Sequence, residues 1–387
     1  MYKVKTMNKI SQVGMKRFDS GKYTCGDDIT APDAIMVRSA ALHDMEFGEE
    51  LKAIARAGAG VNNIPVDRCS KEGIVVFNTP GANANAVKEL VLTGMLISSR
   101  KIVPAIEWAK TLKGQGAEVG KLVEKGKSAF SGPELKGKSL GVIGLGAIGM
   151  LVANTAVNLG MEVYGYDPFL SVDAAWGLSS RVHHSIDVNE IYEKSDYITI
   201  HVPYNKDTDS MINAEAIAAM KSGVRIMNFA RGELVSTKDI IAALSDGKVA
   251  AYVTDFPNDD LLDVDGVIAI PHLGASTPES EDNCAKMAAD ELIDYLENGN
   301  ITNSVNLPNV SMPKAGEKRI CIIHDNKPNI IAQLSSAVSS KNINIENMMN
   351  KSKKDYAYSV LDIDGEVTDE LKAEMESIDG VIKVRVI

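Results

Sequence analysis

Between Leu140 and His272, short apolar runs alternate with segments of helical length: Leu140–Gly144, Val163–Asp167, Tyr197–His201, Arg225–Ala230, Val249–Phe256 and Val267–His272. Runs of four to eight apolar residues that do not alternate with polar ones suit strands buried on both faces, so this rhythm predicts a parallel sheet with helices on either side. Plausible crossover helices lie between them, such as Ala147–Leu159 and Thr237–Leu244, the second with Ser236 or Thr237 as N-cap and Asp239 in its first turn.

Residues 1–97 also mix short strands, Ala34–Arg38 and Ile74–Asn78, with helices expected at Glu49–Ala57 and Ala84–Ser98, which reads as another α/β unit with a boundary near Ser99. The Lys- and Gly-rich stretch Gly114–Gly137 reads as an exposed connection. The Asn-, Pro- and Gly-rich stretch Asn298–Gly316 reads as a linker. Beyond it the order strand (Arg319–His324), helix (Pro328–Asn342), strand (Ile343–Asn350), strand (Ala357–Asp364), helix (Asp369–Ile378), strand (Val381–Ile387) predicts a separate ferredoxin-like βαββαβ domain.

Composition narrows the class. The 387 residues exceed one ordinary core, and the apolar and charged fractions are those of a folded globular protein. A net charge of −11 has the wrong sign for a phosphate backbone or an anionic bilayer, so neither nucleic acid nor a membrane surface is the expected partner. Cys25, Cys69, Cys284 and Cys321 are too scattered for a zinc site or a disulfide framework. No metal is expected. The N-terminal residues carry no apolar export signal, and together with the scattered thiols this suggests the cytoplasm. The uncharged stretch Leu140–Met161 is nominally long enough to span a membrane, but its five glycines, Asn154 and Asn158 mark it as strand, turn and helix instead.

That turn is Gly144-Leu-Gly-Ala-Ile-Gly149, a G-x-G-x-x-G directly after an apolar strand and opening an apolar helix. Gly144 permits the tight turn, Gly146 lets the backbone approach a pyrophosphate, and Gly149 allows close packing. The first helical residues, Ala147 and Ile148, offer free N–H groups to the anion. Asp167 follows Gly149 by 18 residues at the end of the next strand, where a carboxylate bonds a ribose diol and repels a 2′-phosphate. The expected cofactor is NAD rather than NADP.

In open parallel sheets ligands bind outside the carboxyl ends of the strands. Three such ends carry Arg231, the run Pro257-Asn-Asp-Asp260, and His272. Taken singly, each has a bland reading as a surface ion pair, a solvated turn or a capped strand end. Together they form the set that redox chemistry on a 2-hydroxy acid needs: His272 as base for the hydroxyl proton, Asp259 to orient it, and Arg231 for the substrate's carboxylate and C2 oxygen.

Over nearly its whole length the sequence resembles the D-isomer-specific 2-hydroxyacid dehydrogenases. The resemblance rests on Val76–Ala84 with Glu89-Leu-Val91, Gly141–Gly149, Asn228–Glu233 and Pro271–Thr277. It implies a Rossmann-type doubly wound sheet (99–280) inserted in a flavodoxin-like, discontinuous substrate domain (1–98 with 281–312), with a cleft that closes on substrate, followed by a small domain (318–387). It matches Arg231 and His272 to the family's catalytic pair, puts Asp259 where a Glu is usual, and displaces by one place, to Asp255, an Asp that contacts the nicotinamide. Whether Asp259 or Asp260 pairs with His272 stays open. Pro203, Ala230 and Gly274 join the implied cofactor site. Arg38, Ser39, Gly60, Val61 and Asn62 match substrate-binding loops, with Lys127 as a further cation supplied by a partner subunit.

Residues 319–387 resemble an ACT domain of the serine-binding type, implying L-serine as effector at His324, Asn326 and Asn344, and a homo-oligomer, dimer or tetramer. The implied reaction is NAD-dependent oxidation of 3-phospho-D-glycerate to 3-phosphohydroxypyruvate, the first step towards L-serine. The alternatives are a relative acting on an unphosphorylated 2-hydroxy acid and an NAD-sensing corepressor on the same scaffold.

Overall fold

The computed structural model describes residues 1–387, apart from the side chain of Asp173. Residues 1–83 with 278–387 form one compact unit and residues 84–277 another.

The first sheet comprises β1 (Tyr2–Met7), β2 (Tyr23–Gly26), β3 (Ala34–Val37), β4 (Ala53–Arg56) and β5 (Val75–Phe77), all parallel in the order β2-β1-β3-β4-β5. This is the flavodoxin-like order, with its switch point between β1 and β3. The helix expected over Glu49–Ala57 is instead β4. Its alanines favour a helix locally, but Ala53, Ile54 and Ala55 are fully buried between β3 and β5, and tertiary context overrides a weak propensity.

The second sheet comprises β6 (Ser139–Ile143), β7 (Glu162–Tyr166), β8 (Val182–His184), β9 (Tyr197–Ile200), β10 (Val224–Asn228), β11 (Val249–Thr254) and β12 (Val267–Ala269), parallel in the order β12-β11-β10-β9-β6-β7-β8. This is the Rossmann order extended by one strand, and its switch point lies between β6 and β9. The helix Ala84–Arg100 packs on this unit, against β10, β11 and the helix Ala147–Asn158, so the expected boundary near Ser99 falls at the wrong end of that helix. The stretch 114–137 is largely exposed, apart from buried Leu135, but it contains the helix Val119–Gly126 and two short 3-10 turns.

The third sheet is antiparallel: β13 (Lys318–Asp325), β14 (Asn344–Lys353), β15 (Tyr356–Asp364) and β16 (Val381–Val386), in the order β14-β15-β13-β16, with helices Ile330–Ser340 and Asp369–Glu376 completing βαββαβ. It is not free of the first unit. Alternation along its strands sends Ile320, Ile322, Leu361 and Ile363 under its own helices, and Cys321, Ile323, Tyr358 and Val360 into the core with Leu292 and Tyr295 of the helix Pro278–Asn298. Both faces are therefore covered. At this junction Arg319 and Asp362 form a fully buried ion pair at 2.6 Å, and Arg319 Nη1 and Arg385 Nη2 donate to the carbonyls of Asn298 and Leu296, satisfying the last turn of that helix. The expected linker packs too: the Val76 amide donates to Asn306 Oδ1 and the Val305 amide to the Val76 carbonyl, covering the open edge of β5.

Candidate active site

The glycine turn after β6 is built as the motif requires. Gly144 has φ +91° and a Cβ there would stand 2.9 Å from the backbone of His201, on the other side of the switch point. At Gly149 a Cβ would come within 1.9 Å of the Gly144 carbonyl oxygen. Around Gly146, by contrast, the space is open for 4 Å. Gly146 is the N-cap of the helix Ala147–Asn158, so the backbone offers N–H groups at an uncluttered approach, the chemistry a pyrophosphate needs.

Asp167 braces this turn. Its Oδ2 accepts from the Leu145 amide and its Oδ1 from the Phe169 amide, both at 2.9 Å. Gly144, Gly146, Asp167 and Pro203 line one cavity of about 860 Å³, with Tyr166, Phe169, His201 and Thr208. A nucleotide-sized cavity at a switch point, with a glycine floor and a carboxylate at the end of the second strand, fits a dinucleotide.

Sequence reading passed over His201. Its Nε2 lies 2.9 Å from Thr199 Oγ1, its Nδ1 is buried without a partner, and burial drops its pKa to about 3, so the ring is neutral across the physiological range. Its signal was its place as the first residue after β9, beside the glycine turn.

The remaining candidates gather at the carboxyl ends of three adjacent strands, β10, β11 and β12. Buried Asn228, at the end of β10, shapes the turn that presents Arg231: its Nδ2 donates to the Arg231 carbonyl at 2.8 Å and its Oδ1 accepts from the Ala230 amide at 3.2 Å. Arg231 is exposed and donates through Nη1 to the Ala230 carbonyl. After β12, His272 is exposed with its ring 4.7 Å from that of Phe256.

The carboxylate between them is Asp255, which follows β11 and is 1% exposed. Its Oδ2 accepts from the Gly274 amide at 3.2 Å, and its Oδ1 is buried without a partner. Burial pushes its pKa up, and the charges of His272 and Arg231 pull it back in part. Asp259 and Asp260 do not take this place. They lie exposed in a 3-10 turn after Pro257, pinned by Asn258, whose side chain accepts from the Leu261 amide and donates to Thr237 Oγ1. Among the described residues no hydrogen bond joins either aspartate to His272.

The expected substrate loops lie at the carboxyl edge of the first sheet. Arg38 directly follows β3 and its Nη2 meets Glu281 Oε1 at 2.6 Å. The Ser39 and Ala40 amides are both held by Asn8 Oδ1. The Asn62 carbonyl lies 3.0 Å from His43 Nε2, and the loop Gly58–Asn62 carries a second cation at its base: a Cβ at Gly58 would stand 2.1 Å from the Arg56 guanidinium. Sequence reading missed Arg56. Lys127 is exposed and paired with Glu124 one helical turn away.

The expected effector residues do not converge within one chain. His324 is buried, its two ring nitrogens 2.7 Å from the Asp325 carbonyl and 2.9 Å from Ser359 Oγ. Asn326 donates from its side chain to the Lys354 carbonyl, and Asn344 to Glu346. His324 is in register with Ala357 and Asn344 with Asp364, seven residues further along β15, or roughly 23 Å at strand spacing.

Among the described residues no helix is long and apolar enough to cross a membrane, and none of the four cysteines is paired.

Residues 92–274, nearly the whole second unit, match the model of the D-isomer specific 2-hydroxyacid dehydrogenase NAD binding domain. A D-3-phosphoglycerate dehydrogenase of Methanocaldococcus jannaschii is 36% identical over 318 residues, covering 80% of this chain and 58% of that protein. One of Escherichia coli (strain K12) is 33% identical over 352 residues, covering 88% of this chain and 82% of its own. Among solved structures, the NAD+-bound 3-phosphoglycerate dehydrogenase of Entamoeba histolytica superposes with a TM-score of 0.60 at 25% identity, over 79% of this chain and 98% of that one. With the Rossmann order, the glycine turn and the Arg–Asp–His edge in place, the chain belongs to the D-isomer-specific 2-hydroxyacid dehydrogenase family and binds NAD.

Proposed function

We propose that the protein oxidises 3-phospho-D-glycerate to 3-phosphohydroxypyruvate with NAD, the entry step to L-serine. The observation that carries the reading is the Arg–Asp–His edge of the second unit, the set that redox chemistry on a 2-hydroxy acid needs. Within the first unit, Arg38 and Arg56 make a cationic sheet edge of the kind an anionic group binds. The relatives named for this reaction support the choice of substrate.

The glycine turn and Asp167 would hold the dinucleotide, which when bound would supply the hydride acceptor for substrate C2. Arg231 binds the substrate's carboxylate and polarises the C2 oxygen, and His272 takes the hydroxyl proton. Asp255 stands where a carboxylate favours the protonated imidazole that results, so we assign it the role expected of Asp259. Ser39 and the loop Gly60–Asn62 shape the substrate cradle around Arg38. We place the reaction in the cytoplasm.

The C-terminal sheet is an ACT-type module in this reading. L-Serine binds only where a second copy brings its Asn344 towards His324 and Asn326, because one chain holds them far apart, so effector binding and homo-oligomer formation go together.

The test is NADH oxidation at 340 nm with 3-phosphohydroxypyruvate, run beside pyruvate, glyoxylate and 2-oxoglutarate. Strong preference for the phosphorylated keto acid is expected. Preference for an unphosphorylated one moves the substrate assignment to another branch of the family, and no turnover of any supports the corepressor alternative.

A further inference from the structure

Arg38 is the cation best placed for an anionic substrate at the first sheet, since it follows β3 at the switch point, yet its guanidinium already holds a carboxylate. Glu281 reaches it at 2.6 Å from the first turn of the helix Pro278–Asn298. We propose that Glu281 is a specificity-determining residue: its carboxylate occupies the seat on Arg38 that the phosphate of the substrate takes, so that binding exchanges one anion for another.

Three features make the exchange workable. The pair is open to solvent, the side chains being 41% and 43% exposed, so it is a weak and displaceable contact. The contact runs from Nη2 to one carboxylate oxygen, whereas a phosphate presents several oxygens to the planar guanidinium fork and replaces it with more bonds. Once displaced, Glu281 is not stranded, because it stays in water at a helix N-terminus, where the unsatisfied N–H groups favour negative charge. The neighbouring Ser39 and Ala40 amides, held by Asn8, are not competing donors. The device raises the concentration of phosphorylated substrate needed for saturation.

This inference rests on the proposed phosphorylated substrate, and its test separates the two. E281Q keeps the shape and removes the charge. The expected result is a KM for 3-phosphohydroxypyruvate lowered by up to about fivefold, the ceiling for one exposed ion pair, with kcat within about twofold and the KM for pyruvate unmoved. Inorganic phosphate should become a stronger competitive inhibitor by a similar factor, and E281A should act in the same direction. A raised KM would mean that Glu281 positions Arg38 and would overturn the proposal. So would equal shifts for phosphorylated and unphosphorylated keto acids, or no shift in either KM or phosphate inhibition. If the wild-type protein ignores the phosphorylated keto acid, the substrate assignment fails on its own, and phosphate binding to wild type and E281Q by calorimetry still decides the exchange at Arg38.

Discussion

The two parallel sheets are built on the same rule and prepare their ligand edges in opposite ways. At the switch point of the second sheet the site is mostly backbone: Gly144, Gly146 and the first turn of a helix leave open space, and Asp167 is fixed by the turn it braces. At the switch point of the first sheet the site is side chain, and the protein's own groups already fill it, with Glu281 on Arg38 and Asn8 on the next two amides. A backbone cradle has nothing to exchange when its ligand arrives. A side-chain cradle must trade a partner, which makes affinity there tunable by a single charge.

The largest effects should come from the edge of the second sheet, where we place the chemistry. His272→Ala should lower kcat by roughly 10²–10⁴-fold, the range for loss of one general acid–base group. Unchanged turnover would remove His272 from the reaction. The aspartates then divide: Asp255→Asn should lower kcat more than about tenfold and Asp259→Asn by less than about twofold, because buried Asp255 faces the charges of His272 and Arg231 whereas Asp259 lies in an exposed turn. Steady-state kinetics with the reverse ranking would restore Asp259 to the site and make Asp255 a structural carboxylate.

That division shows what was legible in the sequence. Gly144, Gly146, Gly149 and Asp167 could be read because backbone geometry restricts which residues fit, and the restriction leaves a spaced signature. Which carboxylate stands beside His272 was not legible in the same way, because the choice among Asp255, Asp259 and Asp260 depends on whether the chain turns before or after Pro257. Burial decides that, not spacing. β4 was misread because its alanines suit a helix equally well, and only the strands on either side make it a strand. Glu281 lies 243 residues from Arg38 in the chain, and no local pattern could join them. The packing of the third sheet was hidden for a related reason, since its alternation reads equally well with one covered face or two.

A smaller effect separates recognition from chemistry at the open site. Asp167→Ala should narrow the preference for NADH over NADPH by roughly 10- to 100-fold, the worth of one or two charge-assisted bonds to a ribose diol. It also unpins the Leu145 amide, so NADH affinity should fall with it. Asp167→Asn keeps an acceptor for that amide and removes the charge, and should shift the preference with less loss of affinity. An unaltered NADH to NADPH ratio in both variants would mean that the ribose is held elsewhere along the cavity.

The smallest effect on turnover, and the clearest on stability, concerns a carboxyl that the first unit keeps inside itself. Glu291, in the middle of the helix Pro278–Asn298, is buried. Its Oε1 accepts from Asn303 Nδ2 at 2.8 Å and its Oε2 has no partner, and burial, helped by the charge of Asp290, pushes its pKa up to about 8. A pKa raised on folding means that the folded chain holds the proton more tightly than the unfolded chain. The stabilisation is therefore complete below the ordinary Glu range and is lost as pH rises towards and through 8. Each tenfold gain in proton affinity on folding is worth about 1.4 kcal/mol, so the loss amounts to a few kcal/mol. Glu291→Gln keeps the bond to Asn303 and cannot ionise, so its melting temperature should stay nearly level from pH 6 to 9 while that of the wild type falls. Parallel curves would show that the carboxylate is accommodated when charged. The first unit would then tolerate an unpaired charge in its interior as readily as it does charge at the Arg38 seat, and the contrast between its closed core and its exchangeable edge would go.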